Sequence, residues 1–180
     1  MYERSLQFVL EREGGRVDDP RDRGGRTNKG VTQRVYDAHR RAHGLPQADV
    51  WAITDAEVEA IYRGGYWDAV RGDVIDAVSS DLALAVFDCA VNSGASRAIK
   101  QLQEALGVTP DGVFGPKTEQ ALLLGAAKGY PRILRIMLCG RELFYRGIVA
   151  RNPSQGRFLK GWLNRVNHLR VACGIPEEDV

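Results

Sequence analysis

Glu13 stands where an apolar helical stripe runs out. Leu6, Val9, Leu10 and Glu13 fall at the i, i+3, i+4, i+7 spacing of one helix face, and Gly14 and Gly15 follow at once. A general acid must keep its proton near neutral pH and still face its reactant, which calls for a carboxyl at the edge of an apolar environment. The Leu6, Val9 and Leu10 face is expected to desolvate Glu13 and favour its protonated form. The two glycines let the chain turn sharply enough for a substrate to come close. An ordinary glutamate ending a helix, stem packed and head in water, has the same spacing, and the local pattern leaves both readings open.

Other residues compete for chemical roles. Asp18, Asp19 and Asp22 lie in the loop that follows Glu13, and Asp19 precedes Pro20, where it can simply begin a turn. Asp81 and Asp88 fall in a strongly apolar segment, where Asp88 is expected to be a structural hydrogen-bond partner. Asn92 stands beside Ser93 and Gly94, a position suited to a helix C-terminus or to a ligand amide. Tyr66 and Trp67 can stack on a ligand or fill the core, and Trp162 reads as core. His39 and His43 are spaced i,i+4 without a carboxylate or cysteine to complete a metal site, so a solvated helix face is expected and no metal or organic cofactor is implied. DGVFGPKT, residues 111–118, lacks the GKS or GKT of a phosphate-binding loop.

The elements that must carry these residues read as mainly helical. The chain has 180 residues, 44% hydrophobic and 27% charged, enough for a real core in one domain or two packed lobes. Neither a signal-peptide h-region nor a stretch long enough to span a bilayer is evident. Cys89, Cys139 and Cys173 are odd in number and flanked by apolar residues, which predicts free buried thiols rather than a disulfide framework. Residues 1–127 hold 15 Lys and Arg against 19 Asp and Glu, and residues 128–180 hold 10 against 4. The basic C-terminal part favours an anionic partner, but its charges are dispersed, as on a solvated helix surface, and no basic run interleaved with aromatics points to nucleic acid.

Along the chain, residues 14–32 are rich in Gly, Asp, Asn and Pro and read as turns with a small hairpin. Thr32 can cap a helix to about His43, and Thr54 with Glu57 forms a capping box for the next. Ser80 can cap a nearly all-apolar helix ended by Gly94. A helix from Ser96 carries the stripe Ala98, Ile99, Leu102 and Leu106 to Gly107. Pro116 opens a short helix, and Pro131 a long one with Ile133, Leu134, Met137, Leu138, Leu143 and Phe144. Asn152 and Pro153 break it, and a last helix with Phe158, Leu159, Trp162, Leu163 and Val166 runs toward Gly174.

The segment EGGRVDDPRDRGGRTNKGVTQ resembles the opening motif of glycoside hydrolase family 108, the phage-type N-acetylmuramidases: EGG, then D-x-G-G-x-T-N-x-G-[IV]-T. Its pieces here are Glu13, Gly14, Gly15, Asp22, Gly24, Gly25, Thr27, Asn28, Gly30, Val31 and Thr32. Arg16 stands where an aromatic residue often follows EGG. YRGGYWDAVRGD, FDCAVNSGASRAIKQLQEALGV and DGVFGPKT are similar to later motifs of the family, and RFLKGWLNRV to the end of its C-terminal peptidoglycan-binding region, so the resemblance covers nearly the whole chain.

The resemblance implies a lysozyme-like helical fold with a small β-hairpin near the N-terminus. It implies a single domain over 1–180, with residues 1–95 catalytic and 96–180 peptidoglycan-binding-like, and a cleft between the hairpin and the helical lobe. The substrate expected is bacterial peptidoglycan, cut at the β-1,4 bond after N-acetylmuramic acid. Glu13 takes the place of the acid, Asp22 and Thr27 those of its partners, and Asn28, Tyr66, Trp67 and Asn92 are candidate substrate contacts, Asn92 through an N-acetyl group. Inversion is the stereochemical course the resemblance suggests. A lytic transglycosylase and a non-catalytic peptidoglycan-binding, secretion-assisting protein are the alternatives. A monomer is expected, made in the cytoplasm and acting on the wall after passage through a holin or a secretion system.

Overall fold

A computed structural model describes residues 1–13, 15, 16, 18, 26–127 and 129–175. Asp19, Asp22, Gly14, Gly24 and Gly25 of the sequence motif lie outside the described residues. Among those described the protein is mainly helical, with nine α-helices and one two-stranded antiparallel sheet, and no helix is long and apolar enough to cross a membrane. The chain divides into two compact units, Met1–Ala69 and Val70–Val180.

In the first unit α1 spans Tyr2–Leu10. Its buried side is Tyr2, Ser5, Phe8 and Val9, not the expected Leu6, Val9, Leu10 face. Leu6 and Leu10 are half-buried and line a shallow surface groove with Glu3, Gln7, Glu11 and Glu59. The difference arises because Tyr2 and Phe8 bury more apolar area than the two leucines, and the helix rolls to hide them. Two short strands follow, β1 (Thr27–Asn28) and β2 (Val31–Thr32), with Thr27 opposite Thr32 and Asn28 opposite Val31. Lys29 and Gly30 both have positive φ, 51° and 75°, as a two-residue turn of type I′ requires.

Thr32 accepts from the Val35 amide at 3.4 Å and caps α2, Gln33–Ala42. The Thr54–Glu57 capping box opens α3, Asp55–Tyr62. Tyr36 and Arg40 of α2 bind Glu57 of α3 at 2.9 and 2.5 Å. Glu57 thus caps one helix and fastens another to it. A π-helical turn, Arg63–Trp67, continues from α3.

In the second unit α4 is Gly72–Asp76 and α5 is Ser80–Ser93. The cap of α5 is Ser79, which accepts from Leu82, one residue before the expected Ser80. Every residue of α5 from Leu82 to Ala90 is buried, because it packs on α4, on α6 (Ala95–Leu106) and on α8 (Tyr130–Arg151). The stripe of α6 is buried as expected, with Gly94 rather than Ser96 at its start and Gly107 in the left-handed region at its end. The DGVFGPKT turn leads into α7, Pro116–Leu124. It is pinned by Gln103, whose amide donates to Asp111 at 2.7 Å and Thr118 at 2.9 Å and accepts from the Gly112 N–H at 2.9 Å. These bonds give the motif a structural reason of its own.

α9, Gly156–Ala172, lies against α8. Leu143 of α8, one of the apolar residues the sequence places on this helix, is 70% exposed, on the side of the helix roughly opposite the face that carries Leu138, Arg141 and Tyr145. All three cysteines are free; Cys89 is buried and Cys173 half-buried, whereas Cys139 is exposed, contrary to expectation. Burial pushes the Cys89 thiol up to about 11.

Candidate active site

Glu13 lies three residues beyond the end of α1, on a turn held by its own amide bonded to the Val9 carbonyl at 3.0 Å. The hairpin turn comes up against it. A Cβ built on Gly30 would meet Glu13 Cγ at 3.0 Å and overlap the Tyr62 hydroxyl, so this place in the turn takes glycine twice over, for positive φ and for the close approach. Tyr62, almost fully buried, donates its hydroxyl to the Lys29 carbonyl at 3.1 Å and locks the turn from behind. Tyr66 follows one turn later, its ring 5.6 Å from that of Tyr62. Burial, and then the charge of Glu13, hold the Tyr66 phenol above its ordinary pKa, so it remains a protonated donor at neutral pH.

The environment of Glu13 therefore differs from the expected leucine face. Its stem rests on a glycine turn and its carboxyl lies within electrostatic reach of a phenol. Arg12 and Arg16, its neighbours in sequence, are engaged elsewhere. Arg12 folds back over the Phe8 ring, 3.5 Å from its centroid, and donates to the Phe8 carbonyl at 2.6 Å. Arg16 donates to the Trp51 carbonyl at 3.1 Å with its guanidinium 5.7 Å from that ring, and Arg26 lies 4.7 Å from the same ring. The arginine that replaces an aromatic after EGG is thereby accommodated by a tryptophan 35 positions along.

The other sequence-derived candidates separate. Thr27 is half-buried on β1, the strand that leads into the Gly30 turn. Asn28, beside it, is buried and donates its amide to the Val50 carbonyl at 3.2 Å; it ties the hairpin to the next turn instead of presenting its side chain to a ligand. Trp67 is 0% exposed and packs edge-on against Tyr2 at 5.3 Å. Both ring faces are inside the core, which corrects the expectation of sugar stacking. The π turn explains the split between neighbours, since it points Trp67 inward and leaves Tyr66 half-buried on the Glu13 side. Asp18 pairs with Arg26 at 3.3 Å, and Arg26 also pairs with Asp49. Asn92 belongs to the second unit, exposed in the last turn of α5.

Gly30 and Tyr62 were the neighbours that spacing could not single out. Gly30 is visible in the motif, but its contact with Glu13 depends on how the hairpin folds back. Tyr62 was detectable only as the residue four before Tyr66 on one helix.

A helical protein with an N-terminal hairpin brought against a carboxyl is of the lysozyme-like class, and the comparisons agree. Residues 6–94 match the model described as glycosyl hydrolase 108, and residues 97–167 match one described as a predicted peptidoglycan domain. The solved structure of Brucella abortus SagA is similar at 32% identity, with a TM-score of 0.76 and coverage of 99% of this chain and 96% of that one. A comparison with curated proteins returns no match. The chain belongs to the glycosyl hydrolase 108 family, and its domains define a glycoside hydrolase with peptidoglycan as substrate.

Proposed function

We propose that the protein is an N-acetylmuramidase that hydrolyses the β-1,4 bond between N-acetylmuramic acid and N-acetylglucosamine, with Glu13 as the acid. The observation that carries this reading is the Gly30 turn seated on the Glu13 side chain beside the Tyr66 phenol. Glu13 gives its proton to the glycosidic oxygen as the bond to the muramic acid C1 breaks. Water adds to C1, and its proton passes to a second carboxylate. Asp22 takes that part by family resemblance, with Thr27 orienting the water. Inversion, for which two carboxyl groups stand about 6.5–9.5 Å apart, is the course we assign.

The protein acts at the cell wall as an endolysin-type enzyme, reaching it by a holin or a secretion system. Wild-type protein is expected to release reducing sugar from purified peptidoglycan. Glu13→Gln, with an unchanged helical spectrum, should lose about 10²–10⁴-fold in rate. A Glu13→Gln variant as active as wild type would remove the basis of the assignment and favour a non-catalytic role.

A further inference from the structure

Helix α8 has a second face that its packing leaves free. Its inner side, with Leu134, Leu138, Arg141 and Tyr145, is buried, and the helix packs on α5, α6 and α9. Arg132, Ile136, Cys139, Leu143 and Arg146 follow one another in steps of four, three, four and three residues, so they line the other side over about 21 Å. All five are exposed, Ile136 by 45% and Leu143 by 70%. The stripe is amphipathic along its length, two apolar side chains and a thiol closed at both ends by arginine. Gly140 lies on the same side, four residues after Ile136, and a Cβ there would meet nothing. The fold itself gives no reason for a glycine in mid-helix, where it costs stability; an absent side chain lets the helix lie closer to whatever covers it.

The charge around the stripe has one sign. Among the described residues neither Arg132 nor Arg146 has an ion pair. Glu142, the one acid of α8, is taken by Arg170 at 2.7 Å. Residues 143–175 then hold six Lys and Arg and no Asp or Glu. That field argues against a second copy as occupant. Pairing α8 with α8 in parallel sets Arg132 on Arg132 and Arg146 on Arg146, and an antiparallel pair centred on Cys139 sets Arg132 on Arg146. A soluble phosphate polymer would satisfy the arginines but leave Ile136 and Leu143 in water. An anionic lipid surface satisfies both, with phosphate at headgroup level and hydrocarbon beneath it.

We propose that the exposed face of α8 binds an anionic phospholipid surface, with Arg132 and Arg146 meeting lipid phosphates and Ile136 and Leu143 entering the acyl boundary between them. Arginine suits both ends of the stripe. Its apolar stem lies along hydrocarbon while its guanidinium donates paired hydrogen bonds to phosphate. The contact is peripheral, since no helix of the described residues is long and apolar enough to cross a membrane. It depends neither on Glu13 as the acid nor on the bond that is cut; it concerns the surface on which the second unit rests.

The test is flotation of the full chain with vesicles of phosphatidylglycerol and phosphatidylcholine, set against vesicles of phosphatidylcholine alone. Wild type is expected to float with the mixed vesicles and not with the neutral ones, and to be released as salt rises. Arg132→Glu with Arg146→Glu should weaken binding at least about tenfold, and Ile136→Ser with Leu143→Ser at least about fivefold, both at an unchanged helical spectrum. Leu124→Ser, which alters a side chain 66% exposed on α7, should bind as wild type does. Absence of flotation with the mixed vesicles overturns the proposal. Equal binding by wild type and the double serine variant also overturns it, because the contact is then attraction to a polyanion without entry into lipid. A concentration-dependent dimer formed without vesicles and abolished in the serine variant gives the stripe to a second copy, with the same result.

Discussion

The protein holds two carboxylates in opposite ways, one in each unit. Asp88 is sealed inside the helices of the second unit, and two arginines neutralise it. Burial alone would lower the pKa of Arg141; Asp88, together with Cys89 and Tyr145, more than offsets that and raises it. Glu13 in the first unit sits on a turn, half-buried, with Arg12 and Arg16 turned to aromatic partners. A carboxylate sealed between two guanidiniums is closed to solvent and to substrate. One beside a glycine turn and a phenol keeps a path to substrate. Sequence distance from apolar residues does not distinguish the two cases; burial does, Asp88 being 0% exposed and Glu13 half-buried.

The comparison breaks if the substitutions have the same consequence. Asp88→Asn leaves two guanidiniums without their anion in a buried setting, and chemical denaturation should show the second unit weakened by about 3–5 kcal/mol. Glu13→Gln should leave stability within about 0.5 kcal/mol of wild type while activity collapses. Matching stability losses in both variants would make Glu13 structural.

A smaller effect sharpens the part played by the turn. Gly30→Ala forces a Cβ onto the Tyr62 hydroxyl at a positive φ, and should cost about 1–3 kcal/mol in the first unit and lower activity by displacing Glu13. Wild-type activity and stability in that variant would contradict the close approach.

The smallest effect concerns pH. Burial opposes ionisation of Glu57, but the Thr54 amide, the Tyr36 hydroxyl and Arg40 together hold its pKa below the ordinary 4.5. Its contribution to stability is therefore complete above that value and is lost as pH falls below it. Thermal melts from pH 6 to about pH 3 should show a decline that Glu57→Gln reduces. An identical pH profile in the variant would remove Glu57 from the account.

Much of the helical framework is legible in the sequence because caps and stops are local. Thr32, Thr54 with Glu57, Gly107 and Pro116 mark ends the structure keeps, and the apolar α5 is buried as its composition requires. The faces of α1 were less legible, since Tyr2 and Phe8 compete with the leucines for burial and only tertiary packing decides between them. The contrast between Tyr66 and Trp67 depends on a π turn that no spacing rule announces. The dispersed arginines read as solvated surface, yet Arg141 and Arg170 are buried, Arg141 against Asp88 and Arg170 against Glu142 at 2.7 Å. Pairing across helices distant in sequence leaves no local trace. For the site, the motif identified Glu13, whereas the residues that surround it come from three separate elements.

The central claim, acid-assisted hydrolysis at Glu13, is tested most directly by mass spectrometry of the muropeptides released from purified peptidoglycan by wild-type and Glu13→Gln protein. Wild type is expected to release fragments ending in a hydrated, reducing N-acetylmuramic acid, and the variant almost none. Fragments ending in 1,6-anhydro-N-acetylmuramic acid, or equal release by both proteins, would contradict it.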